Sequence, residues 1–236
     1  MSETLAYCRK TPMIYDIVLS GGEPLALSNE QIRFVFCELS SLENVQSVRF
    51  CTYSVIKDPG RIDSEFLGLL KRFGERFSIR MVLHMTHPDE LSEEVKRTIK
   101  RLLESGTLCL SQVPLLKGIN INDDIEASRS LLRGLLRKLD DFRIQPYYFL
   151  VKMAVPGTTD YAMPLEKIVE IFKPLLQHDR DSTGLGLTLK LVAAAPETKV
   201  FIYPETIFRY SNTLGGYVIS ADEKDVFLPY EDLAFL

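Results

Sequence analysis

The sequence lacks a charge excess of either sign, a long apolar run and a cluster of cysteines, and each absence removes a class of function. Its 28 basic and 32 acidic residues leave a net charge of -4, too balanced for the long-range field that draws a protein to nucleic acid or to a membrane surface. Small molecules and proteins are the expected partners. No stretch reaches about 18 uninterrupted apolar residues, and residues 1–12, MSETLAYCRKTP, contain no apolar core of about seven ahead of a small-residue cleavage site. The chain therefore reads as soluble and cytoplasmic. Cys8, Cys37, Cys51 and Cys109 lie 29, 14 and 58 residues apart, which fits neither zinc spacing nor the dense framework of a small secreted domain. They read as small buried apolar side chains, Cys51 and Cys109 most clearly because both fall inside strand-like runs. Repeats and low-complexity segments are absent too.

What is present is alternation. With 236 residues and 46% apolar content, the chain is long enough for one large core with a small C-terminal appendage. Apolar runs bounded by turn residues recur at 14–20, 47–53, 78–84, 107–113 and 143–151, the signature of buried strands. Between and after them, NEQIRFVFCELSSL, SEFLGLLKRFGERF, SEEVKRTIKRLLESG, DIEASRSLLRGLLRKLDD and PLEKIVEIFKPLLQH have helical spacing. Start and stop chemistry agrees: Ser28, Ser92, Asp123 and Asp124 stand before helices and Gly106 just after one. Five strand–helix units in strict alternation predict a parallel sheet with right-handed crossovers. A full or partial barrel and a doubly wound sheet share this alternation, and periodicity leaves both open. After residue 180 the composition turns β-branched, with a Pro-Glu-Thr turn at 196–198 and Gly215-Gly216 between strand-like runs, predicting C-terminal hairpins. The expected division is a barrel core over 1–180 and a β extension over 181–236.

In either architecture ligands sit at the carboxyl ends of the strands. Those ends carry Ser20-Gly21-Gly22-Glu23-Pro24, then His84-Met85-Thr86-His87-Pro88, Gln112, and Tyr147-Tyr148. Adjacent glycines leave bare backbone for a ligand, and Glu23 beside them suits a ligand with an ammonium group. An ordinary strand-to-helix turn uses the same residues. His84 and His87 equally suit structural hydrogen bonding, and the two tyrosines plain packing.

Five segments, taken together, resemble a known family. DIVLSGGEPLALS is similar to the DVLLSGGDPL stretch of lysine 2,3-aminomutase and its radical S-adenosylmethionine relatives. VRFCTYSVIKDPGRI resembles their R-x-G-T-R segment, VLHMTHPDE their H-x-N-H-P-x-E, SQVPLLKGININDD their N-Q-x-V-L-L-x-G-V-N-D-D, and PYYFLVKMAVPGTTDYAMP their P-Y-Y-L-Y stretch. The order is the same. The resemblance implies a partial (βα)6 barrel, of the TIM-like radical S-adenosylmethionine type, that lacks its first βα unit. It implies S-adenosylmethionine across the strand ends, held by Ser20, Gly21, Gly22, Glu23 and Thr52, with His84, His87, Gln112 and Tyr148 lining it. Pyridoxal phosphate is the second implied cofactor, with Lys199 in PETK as the candidate catalytic Schiff-base residue. A solvated hairpin lysine is the alternative for Lys199.

The pattern departs from the family in three places. The C-x3-C-x2-C triplet that holds the iron–sulfur cluster is absent, so the expectation is a fragment, a split enzyme or a degenerate relative, inactive alone or dependent on a missing N-terminal part. The glycines before the family's lysine are gone, leaving Pro196 and Glu197. The two acids implied to hold a lysine substrate fall at Met153 and Ala194, and a buried ammonium without a partner costs several kcal/mol, so free lysine is an unexpected substrate. The expected function is 1,2-amino migration on an amino acid or related small molecule, with an N-terminal fragment or a second copy as protein partner. The alternatives are a cofactor-binding remnant without turnover, and an unrelated barrel enzyme using Glu23, His84 and His87 as acid, base or metal ligands.

Overall fold

The structure is a computed structural model and describes residues 2–152, 157–176, 189–195, 198–221 and 224–230. The alternation is realised as α1 (Ser2–Lys10), β1 (Asp16–Leu19), α2 (Asn29–Ser40), β2 (Ser47–Thr52), α3 (Ser54–Lys57), α4 (Ser64–Gly74), β3 (Ser78–His84), α5 (Glu93–Glu104), β4 (Leu108–Leu115), α6 (Ile125–Asp141), β5 (Gln145–Val151), α7 (Leu165–Leu176), β6 (Leu191–Ala194) and β7 (Lys199–Ile202). A separate sheet follows, built from β8 (Ile207–Ser211), β9 (Gly216–Ala221) and β10 (Lys224–Pro229). The protein is thus α/β, with one seven-stranded sheet in the order β1 to β7 and one three-stranded antiparallel sheet in the order β10-β9-β8. The stretch 183–188, expected to begin the C-terminal β region, lies outside the described residues.

Two compact units make up the chain: Met1–His84 with Asp89–Ser111 and Phe142–Gln145, and Met85–Pro88 with Gln112–Asp141 and Pro146–Leu236. In the first, β1, β2 and β3 are parallel, with Asp16 beside Ser47 and Ser47 beside Ser78. Alternation sends Val48 and Phe50 of β2 to a wholly buried face. There the apolar stripes of α2 and α4 close over them: Phe36 stacks on Phe73 at 4.6 Å and Phe66 meets Phe50 edge-on at 6.2 Å. Ser28 and Gln31 form a reciprocal capping box on α2, and the Ser92 hydroxyl accepts from the Val95 amide to cap α5. Gly106, at φ +85, turns the chain after α5 as expected of a glycine stop.

In the second unit β5 and β6 are parallel, with Phe149 beside Leu191, and β7 returns antiparallel, with Ala194 beside Lys199. Phe149 and Val151 are buried, and Phe149 packs on Phe172 of α7 at 5.1 Å. The Arg129 guanidinium of α6 donates to the Glu170 and Ile171 carbonyls, tying α6 to α7. Gly215, at φ +66, makes the predicted turn into β9, and β10 extends that hairpin by a third strand. Two helices had no counterpart in the sequence reading: α1, anchored by buried Leu5 and Cys8 one turn apart, and the four-residue α3.

Candidate functional site

At the end of β1 the chain turns through Gly21, whose φ of +92 only glycine adopts freely. Gly22 needs no such freedom, and a Cβ built on it would meet no protein atom within 4 Å. Ser20, Gly21 and Gly22 are exposed, and the two glycines leave their backbone bare. Directly behind it, half-buried Glu23 acts as a clamp. Its Oε1 accepts from the Leu25 amide at 2.9 Å and from the buried Thr52 hydroxyl at 2.6 Å, and its Oε2 accepts from the Tyr53 amide at 3.0 Å. Burial alone would raise the Glu23 pKa, but the Thr52 hydroxyl and the amides of Leu25, Tyr53 and Ser54 outweigh it and hold the carboxyl below the ordinary 4.5. Glu23 is therefore an anion at neutral pH. His84, closing β3 in the same unit, has its pKa lowered by burial, with Glu23 pulling it back, so the imidazole is held in its neutral form in the field of that carboxylate. Tyr53, which the sequence did not single out, donates to Glu90 at 2.6 Å; that bond, then burial, push its hydroxyl up to about 12.

The second unit carries the other expected residues. Half-buried His87 sits in the short loop Met85–Pro88, which is held by a side chain the sequence reading passed over. Asn120, 1% exposed, donates to the Thr86 and Pro114 carbonyls and accepts from the Leu116 amide. The Gln112 carbonyl accepts from Met85 at 3.3 Å, so this glutamine secures the same loop through its backbone. Tyr148 lies on Tyr147 with ring centroids 3.8 Å apart, and two lysines sit over the pair: Lys199 Nζ 4.8 Å from the Tyr148 ring and Lys190 Nζ 5.8 Å from the Tyr147 ring. Lys199 is exposed. Beside it opens a cavity of about 400 Å³ whose lining includes Thr198, Lys199, Thr206, Ser220 and Lys224. Met153, Pro196 and Glu197 lie outside the described residues.

Thus Ser20, Gly21, Gly22, Glu23, Thr52 and His84 belong to one unit, and His87, Gln112, Tyr148 and Lys199 to the other. Cysteine chemistry is dispersed: Cys8 and Cys109 are buried, Cys51 half-buried and Cys37 exposed. Burial pushes the Cys109 thiol up to about 12, away from the thiolate a metal needs. Among the described residues no group of three or more His, Cys, Asp or Glu is placed to hold a metal ion, and these four cysteines do not fit an iron–sulfur cluster.

No protein-family model matches the chain. Curated proteins do. The chain is 29% identical over 178 residues to the L-lysine 2,3-aminomutase of Clostridium subterminale, covering 75% of this chain and 41% of that one. It is 29% identical over 194 residues to the glutamate 2,3-aminomutase of Clostridioides difficile, covering 82% and 43%. A third relative, the L-lysine 2,3-aminomutase of Methanococcus maripaludis, is 28% identical over 194 residues, covering 82% and 42%. The chain spans about half or less of the length of the curated relatives it matches.

Proposed function

The chain belongs to the lysine 2,3-aminomutase-like family of radical S-adenosylmethionine proteins, and from that premise we propose that it serves amino migration on an amino acid by binding S-adenosylmethionine at the end of β1. In this proposal the seven-stranded sheet is the family's partial TIM-like barrel. The observation that carries the binding role is a carboxylate kept ionised directly behind a glycine pair: Glu23 behind Gly21 and Gly22. An ammonium lying on that turn gains backbone acceptors and the field of Glu23, an arrangement stronger than a neutral hydrogen bond. Gly22 supports the reading because the fold itself does not require a glycine there.

When bound with a reduced cluster, S-adenosylmethionine supplies a radical. The residues of this chain supply position and charge. Thr52 holds Glu23, Asn120 holds the loop of His87, and neutral His84 offers a nitrogen acceptor beside the anion. Lys199 is the lysine we propose for pyridoxal phosphate, supported by the hydroxyl and ammonium donors of the adjoining cavity, which suit a phosphate. No redox step is assigned to these residues, because the four cysteines do not form the ligand triplet.

The test is calorimetric titration of the purified chain with S-adenosylmethionine. Gly22→Ala and Glu23→Gln are each expected to weaken binding about tenfold or more, since one charge-assisted contact is worth about 1.5–3 kcal/mol, with Gly22→Ala keeping the parent's thermal midpoint. Undiminished binding by both variants sinks the assignment.

A further inference from the structure

β1 ends the seven-stranded sheet and pairs with β2 on one side only. A parallel strand is ordinarily covered on both faces, yet no residue of β1 is buried, whereas Ser47, Val48, Phe50 and Thr52 of β2 are. The Tyr15 carbonyl accepts from the Ser47 amide at 3.0 Å. Tyr15 therefore turns its backbone towards β2, alternation gives Ile17 and Leu19 the same direction, and the N–H and C=O groups of Asp16 and Val18 point to the open side. Natural sheet edges are guarded by lysine, proline or a projecting charge. The strand Asp-Ile-Val-Leu holds neither lysine nor proline. Its only charge is drawn back along the sheet, for Arg49 Nε of β2 donates to Asp16 at 2.8 Å and Arg80 of β3 lies 3.9 Å from the same carboxylate. Apolar surface flanks the edge: Val18 is 44% exposed and Tyr15 63%. Exposed Arg9 and Lys10 precede the strand and the Glu23 carboxylate follows it. A second identical edge approaching antiparallel thus sets a basic end against an acidic one, while a parallel approach sets like against like.

We propose that this edge is a two-fold interface at which β1 pairs antiparallel with β1 of a second copy of the chain, so that one sheet runs through both subunits. Such a contact is self-complementary and closes on itself. In the register centred on Ile17, Asp16 faces Val18 of the second copy and the two exchange both of their outward backbone hydrogen bonds, once on each side of the axis. A register centred on Asp16 opposes two carboxylates, and one centred on Val18 leaves Asp16 without a partner inside the strand. The inference goes beyond the cofactor reading and does not rest on it.

Sedimentation velocity of the purified chain over a range of concentrations tests it, with a dimer as the expected species. Val18→Pro removes an N–H that β2 does not use, and proline is tolerated on an edge strand where that group faces outwards. This variant is expected to sediment as a monomer with the far-UV circular dichroism of the parent. Ile17→Cys, in a Cys37→Ser background that removes the exposed native thiol, gives an independent readout. The proposed register sets residue 17 of one copy against residue 17 of the other, at a Cα separation of about 4.5 Å that a disulfide can span, and a disulfide-linked dimer is expected on mild oxidation. A parent chain that stays monomeric at every concentration overturns the proposal, as does a dimer that survives Val18→Pro or one that leaves Ile17→Cys unlinked. If Val18→Pro fails to fold, the cross-link decides alone.

Discussion

A carboxylate just beyond β1 and an imidazole closing β3 make the stability of this protein depend on acid in a defined direction. The folded His84 pKa is depressed from its ordinary 6.5 by burial, against the pull of Glu23. The unfolded chain therefore binds a proton that the folded chain refuses, and the stability present above 6.5 is lost as pH falls through the folded value. Glu23 acts in the same sense lower down: burial opposes but the Thr52 hydroxyl and three amides prevail, so the stability it contributes above 4.5 is lost as pH falls through its depressed value. Urea midpoints are expected to decline in two stages as pH falls, the first setting in below 6.5 and the second below 4.5. His84→Gln, a neutral side chain of similar reach, is expected to flatten the upper stage and leave the lower one. An unchanged upper stage in His84→Gln would show that another group titrates there.

Helix α7 shows how an element can depend on residues far along the chain. Its first turn follows Ala162-Met163-Pro164, none of which has a side chain able to cap an amide. The cap comes from the three-stranded sheet: the Tyr217 hydroxyl accepts from the Leu165 amide at 3.1 Å and donates to Glu166 at 2.7 Å. The Tyr230 hydroxyl likewise accepts from the Met163 amide and donates to its carbonyl. Both rings are buried and meet edge-on, 5.4 Å apart, and burial followed by the bond to Glu166 raises the Tyr217 pKa. Tyr217→Phe keeps the ring and strands the buried Leu165 amide, which costs about 1–3 kcal/mol. Tyr210→Phe, on a half-buried ring whose hydroxyl donates to the Tyr230 carbonyl at 3.3 Å, is expected to cost less. Thermal midpoints of the two variants check the order.

That contrast also marks what was legible beforehand. The strands and the five long helices were legible because period and cap lie within one segment, as at Ser28 with Gln31 or Ser92 with Val95. Capping across 52 residues, as between Leu165 and Tyr217, leaves no local pattern. The bare turn at Gly21-Gly22 stood out by composition, and Glu23 by its position, but its clamp through Thr52 needs two strand ends brought side by side. Asn120 was hidden for the same reason.

On the scale of the whole molecule, the four thiols decide between a structural and a metal-binding use of cysteine. All four lie in the first unit, on separate elements or loops: Cys8 in α1, Cys37 in α2, Cys51 in β2 and Cys109 in β4. Their environments differ enough to be told apart in solution. Cys37 is exposed, Cys51 half-buried, and Cys8 and Cys109 are each 3% exposed, with the Cys109 thiol pushed up to about 12 by burial. Only a thiolate attacks a disulfide reagent, and only where the reagent can reach it. In native buffer one thiol, Cys37, is expected to react fast and Cys51 slowly, while Cys8 and Cys109 await unfolding in denaturant. Because burial and not coordination sets this order, incubation with iron and sulfide under anaerobic conditions is expected to leave the rates unchanged. Protection of Cys37 or Cys51 after that treatment would mean that the thiols converge on a metal in solution, and the absence of a ligand triplet would then have to be sought in the arrangement of the fold and not in the spacing of the sequence.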